Sequence, residues 1–170
     1  MGAGTAVAVN SANPVTGPTK EQIRDIFAGK ITDWGSVGGE AGRPIRVIVR
    51  EPQSSTRVTF DKYFFGDAKP TYPHAINVVE SKEAYAQIRA QADSIAMVTL
   101  QTSTQNDPTM RLLSLDGVAA STANLANGVY PIRRPVYFFI SADPGRVKSA
   151  VRVFVEFIKS REGQQILSAF

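Results

Sequence analysis

The residues with the most chemical promise lie between positions 49 and 60. A strand-like run ends on Arg50, and Ser54, Ser55 and Thr56 open the helical segment that follows. The first turn of a helix carries N–H groups with no intrahelical acceptor and the positive end of the helix dipole. Hydroxyls placed there donate to an oxyanion, and a guanidinium at the strand end grips two of its oxygens at once. Strand, arginine, hydroxyl cluster and helix together make a compact receptor for a tetrahedral anion. The same residues also fit a plainer account, with Ser54 or Ser55 as an ordinary N-cap and Arg50 as a solvated end-of-strand charge. The pattern by itself keeps both open.

Other chemistries find less support. The loop has no G-x-x-x-x-G-K-[ST] pattern and no glycine at all, so it is not a P-loop. No G-x-S-x-G surrounds Ser54, which removes the serine-hydrolase elbow. With no cysteine there is no thiolate metal site, disulfide or cysteine nucleophile, and the single histidine, His74, reads as a loop residue. Asp25, Asp33, Glu51, Asp61, Asp67 and Asp116 show no spacing that pairs two carboxylates for general acid–base or metal work. We therefore expect no catalytic residue, no metal ligand and no cofactor: a binding protein rather than an enzyme.

The bulk properties agree. A chain of 170 residues that is 43% hydrophobic builds a real core, which excludes wholesale disorder. Its mean hydropathy of -0.11 and strand-sized apolar runs exclude a membrane-spanning helix. Nineteen Lys and Arg against fifteen Asp and Glu give +4. The basic residues are scattered, with Arg133-Arg134 the tightest pair, so a small anion is expected and nucleic acid is not. The absence of cysteine suits an oxidising compartment. The first residues carry no signal peptide, which implies either a cytoplasmic protein or a trimmed leader.

The elements that must position the hydroxyl cluster read as alternating strands and helices, hence α/β architecture. Strands are expected at 6–9, 45–49, 76–79, 95–100 and 112–115, with a long extended stretch at 130–140. Thr19-Lys20-Glu21-Gln22 is a capping-box pattern ahead of Ile23, Ile26 and Phe27 on one helical face, with Gly29 closing that helix. Further helices are expected at 58–65, behind a Ser81 cap with Ala84, Tyr85 and Ile88 inward, at 121–127, and on Val147, Val151, Phe154 and Ile158. The aromatics Tyr63, Phe64, Phe65, Tyr137, Phe138 and Phe139 are read as core.

Residues 19–34, ending in Gly29-Lys30-Ile31-Thr32-Asp33-Trp34, closely resemble the "L-T-x-E-Q-L-x-x-I-F-x-G-K-I-T-x-W" stretch of PstS-like phosphate-binding proteins. These are the extracytoplasmic receptors of phosphate ABC importers. Residues 6–14 resemble their "A-V-x-V-N-x-x-N-P", 50–57 their "R-x-x-x-S-G-T-R", and 130–137 their "Y-P-L-x-R-P-L-Y". Ile95-Ala96-Met97-Val98, Asp116-Gly117-Val118 and Glu162-Gly163-Gln164 fall at matching points in the same order.

The resemblance implies one lobe of a type 2 periplasmic binding protein: a mixed sheet flanked by helices on both faces, plus C-terminal helices that normally dock on the other lobe. Residues 5–133 would be the second, anion-binding lobe with its first crossover strand, and 134–170 the return strand and closing helices. It implies that Arg50, Ser54, Ser55 and Thr56 bind inorganic phosphate or a similar oxyanion. It implies an ABC importer permease as partner of the intact receptor, and a periplasmic or extracytoplasmic location. The family's loop glycines are Gln53 and Ser55 here, and its acid two residues after the arginine is Pro52, so the loop is expected to hold its amides differently. The family's first lobe, some eighty residues, would precede Ala6. Without it the apolar face on Val147, Val151, Phe154 and Ile158 is left uncovered, which favours a homodimer through the C-terminal helices or an exchanged segment. Two readings of function stay open: an oxyanion receptor, or a fragment of one, for an importer; and a sensor or scaffold module of the same fold with weak or no anion binding.

Overall fold

The computed structural model describes residues 2–135 and 137–168. A mixed sheet is built around β1 (Gly2–Asn10), which runs antiparallel to β4 (Ser94–Leu100) with Thr5 opposite Thr99 and Val7 opposite Met97. Beyond β4, β2 (Arg46–Arg50) is parallel to it, and β3 (Ile76–Val78) is parallel to β2. The far edge of β1 is shared by β5 (Met110–Leu112) at one end and β6 (Arg133–Pro135) at the other, both antiparallel.

The chain leaves β2 in one direction to reach β3, then returns past β2 to reach β4. Right-handed crossovers then put the two connecting helices on opposite faces. That is what is seen. The hydroxyl of Thr5 meets the carbonyl of Thr56 in α2 (Ser55–Phe65), whereas Asn10, on the other face of β1, donates to the carbonyls of Ile88 and Arg89 in α3 (Ser81–Ala90). The expectation of an α/β unit with helices on both faces holds.

α1 (Lys20–Phe27) carries the capping box in full: Gln22 N–H donates to the Thr19 hydroxyl at 3.2 Å, and Thr19 N–H to the Gln22 side chain at 2.8 Å. Its buried face, Ile23, Ile26 and Phe27, meets α2, where Phe27 and Phe60 stack with centroids 4.5 Å apart and Phe60 and Phe64 at 4.4 Å. Each such ring pair adds about 1 kcal/mol beyond its buried area. The aromatic cluster thus fixes α2 against the sheet. Trp34, 1% exposed, donates from Nε1 to the Asp93 carbonyl and pins the glycine-rich loop to the start of β4.

Several boundaries differ from the sequence reading. The N-cap of α3 is Glu80, in a box with Glu83, and Ser81 is the first helical residue with its hydroxyl engaged elsewhere. The strand expected at 112–115 is β5 (Met110–Leu112): Leu113 N–H still bonds the Val7 carbonyl of β1 at 2.8 Å, but Leu115 pairs with Val118 across its own turn. Of the extended stretch at 130–140, β6 is the laddered part among the described residues; Tyr130 and Ile132 fill the core, the Ile132 carbonyl accepting from Thr5 N–H at 3.2 Å, and 137–140 are exposed.

The final helices, α6 (Ser149–Lys159) and α7 (Arg161–Ser168), pack mainly on each other. A Cβ on Gly163 would lie 2.0 Å from the Phe157 carbonyl, so this hairpin closes only on glycine. No side chain after Ile132 joins the buried core among the described residues. Val151 and Phe154 are exposed, as expected, while Val147 lies outside α6 and, like Ile158, is half-buried. Tyr137, Phe138 and Phe139, read from the sequence as core, are exposed instead. Apart from Val58, Val79 and Val129, every exposed large hydrophobic side chain among the described residues falls between Tyr137 and Ile166.

Candidate functional site

The connections leaving the C-terminal ends of β2 and β4 run to opposite sides, toward β3 and toward β5, and that is the position where open α/β sheets form a crevice. The start of α2 lies there. Ser54 is its N-cap residue and is buried, yet its side chain makes no capping bond. The first helical bond runs from Val58 N–H to the Ser54 carbonyl at 2.9 Å. That leaves the amides of Ser55, Thr56 and Arg57 and the hydroxyls of Ser54 and Ser55 without hydrogen-bond partners among the described residues. The starts of α1, α3, α4 (Thr102–Gln105) and α5 (Thr122–Ala126), in contrast, are capped by neighbouring side chains.

Hydroxyls hold this helix start in place. The Thr56 and Thr99 hydroxyls are 3.1 Å apart, and Thr5 donates to the Thr56 carbonyl at 3.3 Å. Because Thr5 and Thr99 are a cross-strand pair, β1, β4 and α2 are joined at one point. A small pocket of about 20 Å³ opens beside it, lined by these residues with Ser55, Thr59 and Arg134. Arg134 is half-buried and has no hydrogen bond or ion pair among the described residues.

Arg50 is sent elsewhere. Its Nη1 donates to the Ser81 hydroxyl at 2.5 Å and its Nη2 to the Val79 carbonyl at 2.6 Å, both at the start of α3. Its Nε is buried and lacks an acceptor among the described residues. The structure therefore gathers Ser54, Ser55 and Thr56 at one helix start, does not bring the terminal nitrogens of Arg50 to them, and adds Thr5, Thr59, Thr99 and Arg134. A sequence signal for the threonines existed: each of Thr5 and Thr99 is a polar residue in an otherwise apolar strand. No positive φ occurs between residues 51 and 56, so the loop has no conformational need for the glycines that Gln53 and Ser55 replace.

Arg57 braces the site from behind, donating to the Arg50 carbonyl at 2.9 Å and lying 4.5 Å over the Tyr72 ring. Its ion pair with Asp61, 3.6 Å, is joined by a hydrogen bond from the Tyr72 hydroxyl. Burial nonetheless pushes the Asp61 carboxyl above its ordinary value. Burial, with the Asp116 charge behind it, pushes the Tyr63 phenol up to about 12. Among the described residues Arg134 is a cation here with no ion pair, and the α2 amides are donors with no acceptor. Such a site can hold an anion.

Comparison with known proteins gives the family. A family model described as a PBP superfamily domain matches residues 1–162. The chain belongs to the PBP superfamily. Relatives of this PBP chain include the phosphate-binding protein PstS of Bacillus subtilis, 31% identical over 163 residues (95% of this chain, 51% of that protein), and PstS of Pseudomonas aeruginosa, 25% identical (95% and 54%). The chain thus spans about half the length of the curated relatives it matches. Among solved structures, a putative phosphate ABC transporter substrate-binding protein with bound phosphate from Clostridium perfringens superposes with a TM-score of 0.79 at 29% identity, covering 97% of this chain and 65% of that one. An ABC-type phosphate transport receptor from Vibrio cholerae shares the fold, with a TM-score of 0.78 at 24% identity, covering 98% and 67%. These relatives are named as binding proteins. No helix among the described residues is long and apolar enough to cross a membrane.

Proposed function

We propose that this PBP-superfamily chain binds phosphate or a similar oxyanion at the start of α2, without catalysis. The observation that carries the reading is the uncapped start of α2: Ser54 occupies the N-cap position and caps nothing, so amides and hydroxyls converge with no acceptor. Orphaned donors at a partly buried site cost about 1–3 kcal/mol each unless a partner arrives, and an oxyanion supplies several acceptors at once. Ser54, Ser55 and Thr56 then provide the hydroxyls and Arg134 the charge. Arg50 contributes through its orphaned Nε and by holding the start of α3. The PstS relatives make phosphate the first anion to test, and in that setting the chain serves an ABC importer permease from an extracytoplasmic position.

In this reading residues 5–133 form the binding lobe and 134–170 the return strand and closing helices. The uncovered apolar face on α6 belongs to contact with another surface, for which a second copy of the chain is our candidate.

A sensor or scaffold role with weak binding is the second reading. It is favoured by the engagement of Arg50 with Val79 and Ser81. Titration with inorganic phosphate, followed by amide NMR shifts and calorimetry, separates the two. A receptor unit shows saturable shifts at Ser55, Thr56 and Arg57 with a dissociation constant of about 1 mM or tighter. Shifts confined to other segments, or an affinity untouched by Ser54→Ala together with Arg50→Ala, would overturn the anion site.

A further inference from the structure

The small hydroxyl pocket does not end at Arg134. A second, larger groove of about 460 Å³ shares Thr59 and Arg134 with it and continues along the exposed side of α2. Ser55, Thr59 and Lys62 recur at spacings of four and three, so one stripe of the helix runs from the proposed anion site into the groove. The facing wall is the segment 131–134 that leads into β6.

The chemistry of the groove differs from that of the pocket. Its walls include Val58, Tyr63 and Pro131, which offer apolar surface, with Lys62 and Arg133 as cations at the rim. Val58 is 55% exposed. Lys20 sits 4.0 Å over the Tyr63 ring and covers one of its faces. Lys62 is paired with Asp67 at 2.7 Å, whereas Arg133 and Arg134 have no ion pair among the described residues. A bare four-oxygen ion seated in the small pocket uses Arg134 and leaves this apolar volume filled by water. Volumes of this size with apolar walls and a few polar anchors are those of sites for small organic molecules.

We propose that the ligand class is a substituted oxyanion, a phosphate monoester or phosphonate, whose anionic head sits at the start of α2 and whose organic body lies in the groove against Val58, Tyr63 and Pro131. This rests on the anion reading above and deepens it. Arg134, at the junction, pairs with the head group, and the rim cations favour a body that carries a further negative charge.

The test compares inorganic phosphate with phenyl phosphate on the intact chain by calorimetry. Phenyl phosphate is expected to bind about tenfold tighter, the worth of one well-covered ring edge against an open groove. In the unaltered protein, NOEs should connect the phenyl protons to Tyr63 and Val58. Val58→Gln, on an exposed helical position, should bring the two affinities within about twofold while leaving phosphate itself unchanged. Phosphate binding with no advantage for phenyl phosphate overturns the groove and leaves the anion site standing. An advantage that survives Val58→Gln, with no NOE to Tyr63, places the ring elsewhere and overturns it too. Binding of neither compound overturns the anion site and the groove together.

Discussion

Replacing Arg134 by Gln should cost more anion affinity than any other single change of charge in the chain. The guanidinium is half-buried at the mouth of the hydroxyl pocket and has no acidic partner among the described residues to compete for it. At about 4 Å from a unit negative charge and an effective dielectric near 20, the attraction is about 4 kcal/mol. One side of the pocket is open to water, which reduces this to the roughly 1.5–3 kcal/mol typical of a hydrogen bond to a charged group. At 1.4 kcal/mol per decade, the dissociation constant for inorganic phosphate should rise about ten- to a hundredfold. The assay is calorimetric titration at low salt and again at about 0.15 M, where screening narrows the difference. Arg146→Gln is the control: it removes the same charge from an exposed turn, where Arg146 pairs with Asp143 at 3.5 Å, and should change affinity by less than about twofold. Equal losses in the two variants, or Arg134→Gln binding phosphate as the parent does, would show that net charge rather than this guanidinium governs binding.

Asn10→Ala should destabilise the fold by about 2–3 kcal/mol in urea titration, because the buried Asn10 amide holds the Ile88 and Arg89 carbonyls and its oxygen accepts from Ala12 N–H. Tyr130→Phe should be neutral or stabilising by about 1 kcal/mol in thermal melts, since the fully buried hydroxyl has no partner among the described residues. The hydrogen bonds from Arg89 and Thr109 hold the Asp107 carboxyl down to about 2. A depressed carboxyl stabilises the fold above its ordinary value and loses that contribution as pH falls through about 2, so acid titration of Arg89→Met should show about 1 kcal/mol less loss between about pH 4 and pH 2 than the parent. Sedimentation at high concentration should show a dimer that Phe154→Asp dissociates, and a parent that stays monomeric would remove the α6 face as its interface.

Much of the scaffold was legible in the chain because it rests on local rules. The Thr19 capping box, the apolar spacing of Ile23, Ile26 and Phe27, and the apolar strands around Ala6 and Ile95 each follow from one or two turns or a single pleat. Failures came where tertiary context decides. Ser81 has the composition of a cap, but Glu80 fits the box and frees the serine for Arg50. Tyr130 looks like a strand residue, yet it fills the core with its N–H on the Asn124 carbonyl rather than on a strand, and the aromatics of 137–139 stay in solvent. At the site, Ser54, Ser55 and Thr56 are neighbours in the chain and so were visible. Thr59 follows Ser55 by one helical turn, but Arg134 and the Thr5–Thr99 pair reach the site only through sheet register, which no spacing reveals. The reach of Arg50 toward α3 was hidden for the same reason, since Val79 and Ser81 lie about thirty residues away along the chain.

The pairing of β6 with the beginning of β1 has an engineering consequence. Gly2 stands opposite Pro135, so the chain enters and leaves this unit on adjacent strands at one corner of the sheet. Residues 2–135 behave as a cassette whose two ends are already brought together. Splicing such a cassette into a surface turn of a host protein requires almost no extra loop closure, since the ends need span only a strand spacing of about 4.8 Å. The same corner fixes how the cassette responds to tension. Force applied through its two ends peels the antiparallel ladder one bond at a time rather than shearing it as a block. A host that stretches would therefore release β6 first and disturb Arg134, and with it the proposed anion site, before the strain reached the core.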